Sequence, residues 1–183
     1  MKFNHEIVSR RSQGLIDFAL SYATAAHGDQ RRKYTGEPYI IHPIAVAQTV
    51  ALVTDDVNMI SAAFLHDVIE DTDRTYEDIK DAGFGYDIAE LVLGMTDVSV
   101  SEDGNRETRK RLDRDHLAVQ SSQVQTIKLA DLIDNSKSII MYGGKFAPVY
   151  MAEKKLLLEV LTKGDKSLRE TALEIVKNFG GKE

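Results

Sequence analysis

An apolar segment that carries charge at its end constrains the fold of this chain more than any other feature. Residues 59–69 are apolar on almost every side of a helical projection, and four ionisable residues lie at the end of this stretch or directly after it: His66, Asp67, Glu70 and Asp71. A helix of this kind has to be buried, so its ionisable groups need partners, a metal ion or water to offset their desolvation. At about 100° per residue the four side chains fall within an arc of roughly 140°. The sequence therefore predicts that they converge on one point.

Two more segments place one coordinating side chain inside an apolar run: His42 within residues 39–43 and Asp131 within residues 127–131. Together with the His-Asp pair they make a mixed nitrogen and oxygen ligand set, which suits Mn, Fe, Co or Zn better than Mg or Ca. A lone buried histidine is more often a satisfied core residue, but three interrupted apolar segments favour a site for one divalent ion. The remaining histidines have no such setting and are expected to be structural or exposed: His5, His27 and His116.

Length and composition exclude several classes of protein. At 183 residues the chain fits one domain over residues 1–183, able to bury roughly 70% of the surface of its unfolded form. It has no cysteine, so disulfides, thiolate metal sites and cysteine nucleophiles are excluded. The net charge of −6 argues against a nucleic-acid partner, which requires a basic face. The apolar stretches are too short to cross a bilayer, and residues 1–6 lack the basic start and apolar stretch of a signal peptide. These observations indicate a cytoplasmic protein without a membrane partner. The oligomeric state stays open.

Helical periodicity dominates the chain, and no segment alternates with the period of a strand. Asp73 or Thr75 is expected to cap a short helix, and the polar loop 98–105 is expected to be a mobile lid. The predicted fold class is all-α, a single helical bundle with the metal site at its centre. The predicted helices cover residues 7–26, 41–53, 57–71, 76–82, 87–95, 106–120, 123–140, 148–161 and 167–179.

Two groups of polar residues lie one helical turn from the predicted ligands. Glu70 and Asp71 follow the His-Asp pair by one turn, which suits a general base that orients or deprotonates water. The alternative is that this acidic pair begins the next helix or faces solvent, and both interpretations stay open. Asn135 is four residues after Asp131 and shares its helix face, where its amide can bond a ribose hydroxyl or a base edge. Lys137 and Ser138 follow closely enough to extend the same surface.

Positive charge is concentrated in two places in this acidic chain. Arg32 and Lys33 belong to a basic run at 31–33. The second group shares one face of the helix predicted over 106–120 and consists of Arg106, Arg109 and Lys110. Such groups suit forked contacts with phosphate oxygens, but the acidic residues interleaved with the second group offer surface ion pairs instead. We favour phosphate contacts for Arg32 and Lys33, and ion pairs for Arg111 and Arg114.

At these residues the sequence resembles the HD-domain (p)ppGpp hydrolases, which include the hydrolase part of RelA/SpoT proteins and the stand-alone small alarmone hydrolases. The match runs from about His27 to Ser138. Four motifs in the same order carry it: residues 27–33 (HGDQRRK), 36–43 (GEPYIIHP), 66–72 (HDVIEDT) and 128–131 (KLAD). Single motifs of this kind are weak, whereas four in order over this span are specific.

The resemblance implies a manganese ion as cofactor and a guanosine polyphosphate as the small-molecule partner. The implied reaction releases the 3′-pyrophosphate of ppGpp or pppGpp to give GDP or GTP. Family roles carry over to this chain as follows: His42, His66, Asp67 and Asp131 hold the metal; Glu70 and Asp71 activate water; Arg32 and Lys33 flank the nucleotide; and Asn135 faces its sugar or base. Beyond residue 140 the resemblance is weak, and Tyr150 and Lys154 are candidates for a 5′-phosphate contact that it does not imply. Lys137 departs from the pattern, since many family members have arginine there.

Three alternatives differ in what the same residues do. The first alternative is an HD phosphohydrolase of another nucleotide, such as a nucleoside 5′-monophosphatase or an NADPH 2′-phosphatase. A second alternative is a nucleotide-binding sensor without turnover, against which the full ligand set counts. The third is a purely structural helical module, which leaves the buried charges unexplained. Arg32 and Lys33 together with Glu70 and Asp71 favour the alarmone group over HD phosphohydrolases of other nucleotides.

Overall fold

The structure, a computed structural model, describes residues 10–180, with side chains from residue 12 onward. Over this range all regular structure is helical, and an isolated bridge between Arg31 and Pro38 is the only β pairing. The all-α prediction is confirmed. The helices are α1 (Arg10–His27), α2 (Ile41–Val50), α3 (Val57–Leu65), α4 (Val68–Asp71), α5 (Tyr76–Ile79), α6 (Gly85–Met95), α7 (Arg106–Val119), α8 (Ser122–Tyr142), α9 (Phe146–Val160) and α10 (Lys166–Gly180).

The described residues form two compact units. The first covers residues 10–32 and 36–96 and contains α1 to α6. The second covers residues 33–35 and 97–180 and contains α7 to α10. The expectation of one domain over residues 1–183 stays a prediction.

Helix α3 is the centre of the first unit, and α1, α2 and α6 pack against it. It begins at Val57 because the side chain of Asp56 accepts hydrogen bonds from the backbone N–H groups of Asn58 (2.9 Å) and Met59 (3.3 Å), which satisfies two donors of the first turn. Every residue from 59 to 68 is buried. The apolar pattern therefore predicted the burial of this segment correctly.

The long helix predicted over residues 57–71 is interrupted at His66 and Asp67. Asp67 has φ −97° and ψ 0°, in the sparsely allowed bridge region where many active-site residues lie. The chain then resumes as the short helix α4, on which Glu70 and Asp71 are exposed. The prediction of one unbroken helix over residues 57–71 is therefore wrong, and the shared arc of the four side chains stays a prediction.

The other helix boundaries differ from the predictions by a few residues. Residues 7–9 of the first predicted helix lie outside the described residues, and α2 ends at Val50 rather than at 53. Thr75 is the cap of α5, in a capping box with Asp78. The helix predicted to reach residue 82 passes into a π-helical turn, Lys80–Phe84, which contains Gly83, whose φ of +112° favours glycine. Among the described helices, none has both the length and the apolar composition needed to cross a membrane.

Helix α8 carries the core of the second unit. Helices α9 and α10 pack against it, and α7 packs against α9. The side chain of Ser121 accepts from the N–H of Val124 (3.2 Å) and starts α8. One apolar cluster joins the end of α8 to α9 and consists of Ile139, Ala147, Tyr150 and Met151.

The loop before α7 is anchored at its root. Asp113, which is 3% exposed, accepts hydrogen bonds from the backbone N–H of Ser99 (3.0 Å) and from its hydroxyl (3.2 Å). A short 3-10 turn, Ser101–Asp103, follows. The mobile lid over 98–105 stays a prediction. A motion of this loop would either keep the hydrogen bonds between Ser99 and Asp113 or break them.

Candidate metal centre and active site

Three of the four predicted metal ligands meet in the first unit. Nε2 of His66 lies 3.0 Å from Oδ2 of Asp67 and 3.3 Å from Nε2 of His42, and Nε2 of His42 lies 3.5 Å from the same carboxylate oxygen. All three residues are buried. His66 and Asp67 lie at the break between α3 and α4, and His42 is the second residue of α2.

The backbone selects the form of His66 that can bind a cation. Its Nδ1 lies 2.9 Å from the carbonyl oxygen of Ala63. A carbonyl only accepts, so Nδ1 carries the proton and Nε2 presents its lone pair to the cluster. A carbonyl partner on the far nitrogen is the usual way in which a metal-binding histidine is oriented.

The three donor atoms fit one divalent ion. They lie within 4.8 Å of one another, and their individual separations are 3.0, 3.3 and 3.5 Å. Ligand atoms that share one ion at about 2.0–2.2 Å lie ~3.0–3.5 Å apart in octahedral or tetrahedral geometry. Two imidazole nitrogens and a carboxylate oxygen form a site of the kind that holds a divalent transition metal.

Tyr39 connects this cluster to the acidic pair. Its hydroxyl lies 2.7 Å from Oδ2 of Asp67 and 2.7 Å from Oδ2 of Asp71. Burial, followed by the negative charges of Asp67 and Asp71, raises the pKa of Tyr39 far above its ordinary value, so the phenol remains a donor. Loss of hydration at the carboxylate raises the pKa of Asp71, with a further contribution from Asp67, while the bond from Tyr39 acts in the opposite direction.

The two basic residues Arg32 and Lys33 differ in setting. Arg32 is half-buried, and its guanidinium carbon lies 5.9 Å from the centre of the Tyr39 ring. Its loop is closed by hydrogen bonds from the N–H of Arg32 to the carbonyl of Glu37 and from the N–H of Gly36 back to Arg32, both 2.9 Å. Gly36 has a φ of +71° in this turn, a backbone conformation that is unfavourable for residues with a side chain. Lys33 belongs to the second unit, where it is exposed and lies over the ring of Tyr34.

Asp131, the fourth predicted ligand, lies buried on α8 in the second unit. Its Oδ2 pairs with Nζ of Lys128 at 3.2 Å, and its Oδ1 accepts from Nδ2 of Asn135 at 2.5 Å. The predicted shared face of Asp131 and Asn135 is therefore present. Beyond it, the hydroxyl of Ser138 donates to the backbone of Asn135 (3.2 Å), and exposed Lys137 pairs with Asp134 (3.5 Å).

The cationic face of α7 is largely paired with acids. Arg106 makes a two-pronged contact with Glu153, at 2.6 and 2.9 Å. Lys110 contacts Asp97 (2.5 Å) and Asp113 (3.1 Å). Arg109 makes no ion pair with any residue that the structure describes. The ion-pair alternative therefore holds for Arg106 and Lys110, whose phosphate contacts would require these bonds to be exchanged.

Tyr150 and Lys154 lie one turn apart on α9. Tyr150 is buried in the apolar cluster, and Nζ of Lys154 lies 4.9 Å from the centre of its ring. Loss of hydration, followed by the nearby charge of Lys128, lowers the pKa of Lys154 to about 8, while Asp131 acts in the opposite direction. This lysine therefore lies in the same electrostatic environment as the predicted ligand Asp131.

Three contributors are absent from the sequence-based set of site residues. Tyr39 joins two carboxylates, Gln30 donates from its side chain to the carbonyl of Asp71 (2.6 Å), and Lys128 pairs with Asp131. Tyr39 and Lys128 lie inside the quoted motifs at 36–43 and 128–131, so motif membership was the available signal. His27 is buried as a structural histidine, and His116 is half-buried in α7. His5 lies outside the described residues.

Comparison with known proteins identifies the class. The family model of the HD domain matches residues 19–139. The chain belongs to the HD-domain family, as its motifs predict. Among curated relatives, the guanosine-3′,5′-bis(diphosphate) 3′-pyrophosphohydrolase of Aquifex aeolicus is 39% identical over 127 residues, which are 69% of this chain and 18% of that protein. The pyrophosphohydrolase MESH1 of Drosophila melanogaster is 40% identical over 66% of each chain.

A solved structure extends the similarity over nearly the whole length. It is that of a metazoan ortholog of SpoT described as hydrolysing ppGpp and acting in starvation responses. The match has a TM-score of 0.81 and 31% identity, and it covers 91% of this chain and 96% of that one. By contrast, the chain spans less than a fifth of the Aquifex relative and about two thirds of the Drosophila one.

Proposed function

We propose that this protein is a divalent-metal-dependent hydrolase of ppGpp and pppGpp. It adds water across the ester bond of the 3′-pyrophosphate, so that pyrophosphate leaves and GDP or GTP remains. The observation that carries this proposal is the buried His42, His66 and Asp67 cluster, joined by Tyr39 to Asp71. Similarity to proteins named as ppGpp hydrolases supports the choice of substrate.

The proposed ligands are His42, His66, Asp67 and Asp131, and the proposed ion is Mn²⁺. When bound, such an ion polarises a phosphoryl oxygen and lowers the pKa of water. Three donors of the required types lie at ligand spacing, which supports the site. The family resemblance assigns the fourth position to Asp131, and metal measurements on variants test it.

Glu70 and Asp71 are proposed to accept the proton of the attacking water. A carboxylate with a raised pKa is a stronger base than an ordinary one, and the direction of the shift at Asp71 agrees with this role. The hydroxyl of Tyr39 also bridges its carboxylate to that of Asp67. Glu70 lies beside it on the same short, exposed helix.

The remaining proposed contacts recognise an anionic nucleotide. Arg32 and Lys33 neutralise phosphate charge, and Arg32 can also stack on a purine face. Asn135 is proposed to face the sugar or base, with Lys137 and Ser138 beside it. Tyr150 and Lys154, with Arg106, Arg109 and Lys110, are proposed to meet the 5′-phosphates. The proposed place of action is the cytoplasm.

The test is a substrate panel. Protein stripped of metal is incubated with Mn²⁺ and with ppGpp, pppGpp, GMP, dGTP or NADPH, and products are separated by chromatography. We expect GDP and pyrophosphate from ppGpp, no turnover before Mn²⁺ is added, and a kcat/KM for ppGpp well above that for the other nucleotides. A ppGpp rate no better than that for GMP would assign the protein to general nucleotidases instead.

A further inference from the structure

The hydroxyl of Tyr39 is shared by two carboxylates that the proposed function places in different roles. It lies 2.7 Å from Oδ2 of Asp67 and 2.7 Å from Oδ2 of Asp71. The same Oδ2 atom of Asp67 faces the histidines, at 3.0 Å from Nε2 of His66. A phenol carries one proton, so Tyr39 satisfies one of these two acceptors at a time.

The ring of Tyr39 is held in place independently of its hydroxyl. It packs against the ring of His27, with centroids 4.7 Å apart, and meets His42 edge-on at 6.0 Å. His27 is 3% exposed, and its Nδ1 lies 2.9 Å from Oε1 of Gln30. Replacing the hydroxyl by hydrogen therefore leaves these packing contacts available.

Asp71 is held at two points by the same stretch of chain. Tyr39 contacts its carboxylate, and Nε2 of Gln30 donates to its backbone carbonyl at 2.6 Å. Asp71 is the last residue of the short helix α4, where backbone carbonyls lack partners within the helix. An exposed residue at a helix end is thus given a defined position beside the metal ligands.

We propose that Tyr39 is a positioning residue that couples metal occupancy to the placement of Asp71. Because Oδ2 of Asp67 gives electron density to a bound cation, it becomes the weaker of the two acceptors. The single proton of Tyr39 is then directed to Asp71, and that carboxylate is fixed at the edge of the centre. The catalytic part of this inference rests on the proposed function, whereas the coupling itself concerns metal binding alone.

The coupling can be measured without substrate. The chain has no tryptophan and seven tyrosines, so near-ultraviolet difference absorbance during a Mn²⁺ titration reports on tyrosine hydroxyls. Three variants are compared with the wild type: Tyr39→Phe, Asp71→Asn and the control Tyr76→Phe. The control removes a hydroxyl that donates to Glu90 (2.8 Å) outside this cluster.

We expect a Mn²⁺-dependent difference spectrum in the wild type and in Tyr76→Phe, its loss in Tyr39→Phe, and a clearly altered spectrum in Asp71→Asn. Calorimetry should show that Tyr39→Phe still binds Mn²⁺, because in the metal-bound state the proton of Tyr39 is directed to Asp71 and is no longer donated to the proposed ligand Asp67. An unchanged spectrum in Asp71→Asn would overturn the coupling. So would a Tyr39→Phe protein with the same Mn²⁺-dependent difference spectrum as Tyr76→Phe.

A kinetic cycle tests whether the effect passes through Asp71. With saturating Mn²⁺, Tyr39→Phe should lower kcat for ppGpp by ~10–100-fold and leave KM nearly unchanged. In the Asp71→Asn background the same change should cost less than about twofold, because residues that act through one another are not additive. Equal losses in both backgrounds would refute the inference. If the wild type fails to hydrolyse ppGpp, the proposed function fails, and the absorbance titration still decides the coupling.

Discussion

Nδ2 of Asn135 lies 2.5 Å from Oδ1 of Asp131, one helical turn away on α8. The other carboxylate oxygen of Asp131 pairs with Lys128 at 3.2 Å. Asn135, the proposed sugar contact, therefore donates a hydrogen bond to Asp131, the proposed fourth metal ligand. Both carboxylate oxygens of Asp131 have protein partners. A bond of this kind orients a ligating carboxylate, so variants at Asn135 are expected to affect the metal as well as the substrate.

Removing a metal ligand should abolish turnover and weaken metal binding together. For His66→Ala we expect loss of Mn²⁺ by elemental analysis and no detectable ppGpp hydrolysis, because its Nε2 lies at the centre of the three-donor cluster. Asp131→Ala should give the same pair of losses if it is the fourth ligand. The control is His116→Ala, on α7. Full activity of His66→Ala after chelation and return of Mn²⁺ would show that the site is wrongly placed.

The acidic pair should affect catalysis more than metal binding. Asp71→Asn and Glu70→Gln are each expected to lower kcat by about 10²–10⁴-fold, the range for general acid–base groups, with metal content unchanged. Glu77→Gln, an exposed carboxylate on α5, is the matched control. Metal loss in step with activity would instead identify Glu70 or Asp71 as ligands.

Arg32 should contribute more to substrate binding than Arg106. Arg32→Ala is expected to raise KM for ppGpp about tenfold, equivalent to ~1.4 kcal/mol, while metal content and folding persist. Arg106 is already held by Glu153 at 2.6 Å, so Arg106→Ala should have a smaller effect. Steady-state kinetics at two salt concentrations check both, since screening weakens exposed charge contacts. A larger KM change in Arg106→Ala would reverse this ranking.

Lys154 should lower the stability of the fold at neutral pH, where it is charged, although its charge is proposed to bind a phosphate. Its pKa is lowered to about 8 by loss of hydration and then by nearby Lys128, whereas an unfolded lysine titrates near 10.4. Between these values the unfolded chain binds more protons, so this residue makes stability rise with pH. Lys154→Met is therefore expected to raise Tm at pH 7, with a gain that shrinks as the pH rises through 8 toward 10.4.

Lys155→Met, at the exposed neighbouring position, is the control for that melting series. The same Lys154→Met protein should show a higher KM for ppGpp if the ammonium contacts a phosphate. A constant Tm difference across the pH range would contradict the proposed protonation change.

Asp113 should be the main electrostatic anchor of the loop before α7. It is 3% exposed and accepts from Ser99 and Lys110. Asp113→Ala removes the acceptor of the Ser99 N–H and hydroxyl and one of the two acidic partners of Lys110, which keeps Asp97. It is expected to cost ~2–3 kcal/mol of unfolding free energy, the cost of removing a partner from buried polar groups. Asp115→Ala, which breaks only an exposed pair with Arg111, should cost less than about 1 kcal/mol. Urea denaturation measures both, and equal costs would argue against the anchor.

Local pattern was sufficient for the helices and for the burial of the segment at 59–68. Apolar spacing follows the helical repeat, and caps such as Thr75 are read from neighbouring residues. The motifs were sufficient for the family, and they contain His42, His66 and Asp67, the three predicted ligands that the structure brings together. Each of these inferences depends on residues close in sequence or on a whole ordered motif.

Tertiary structure decided the partners of the charged groups and the position of the acidic pair. Arg106 meets Glu153 across 47 positions of chain, and Tyr39 reaches Asp67 across 28 and Asp71 across 32. The helix break at Asp67 also could not be predicted from the sequence, because no glycine or proline occurs there. Such choices depend on which distant side chains the packed helices bring within about 3 Å. Helical periodicity describes one helix face at a time, so it could not supply them.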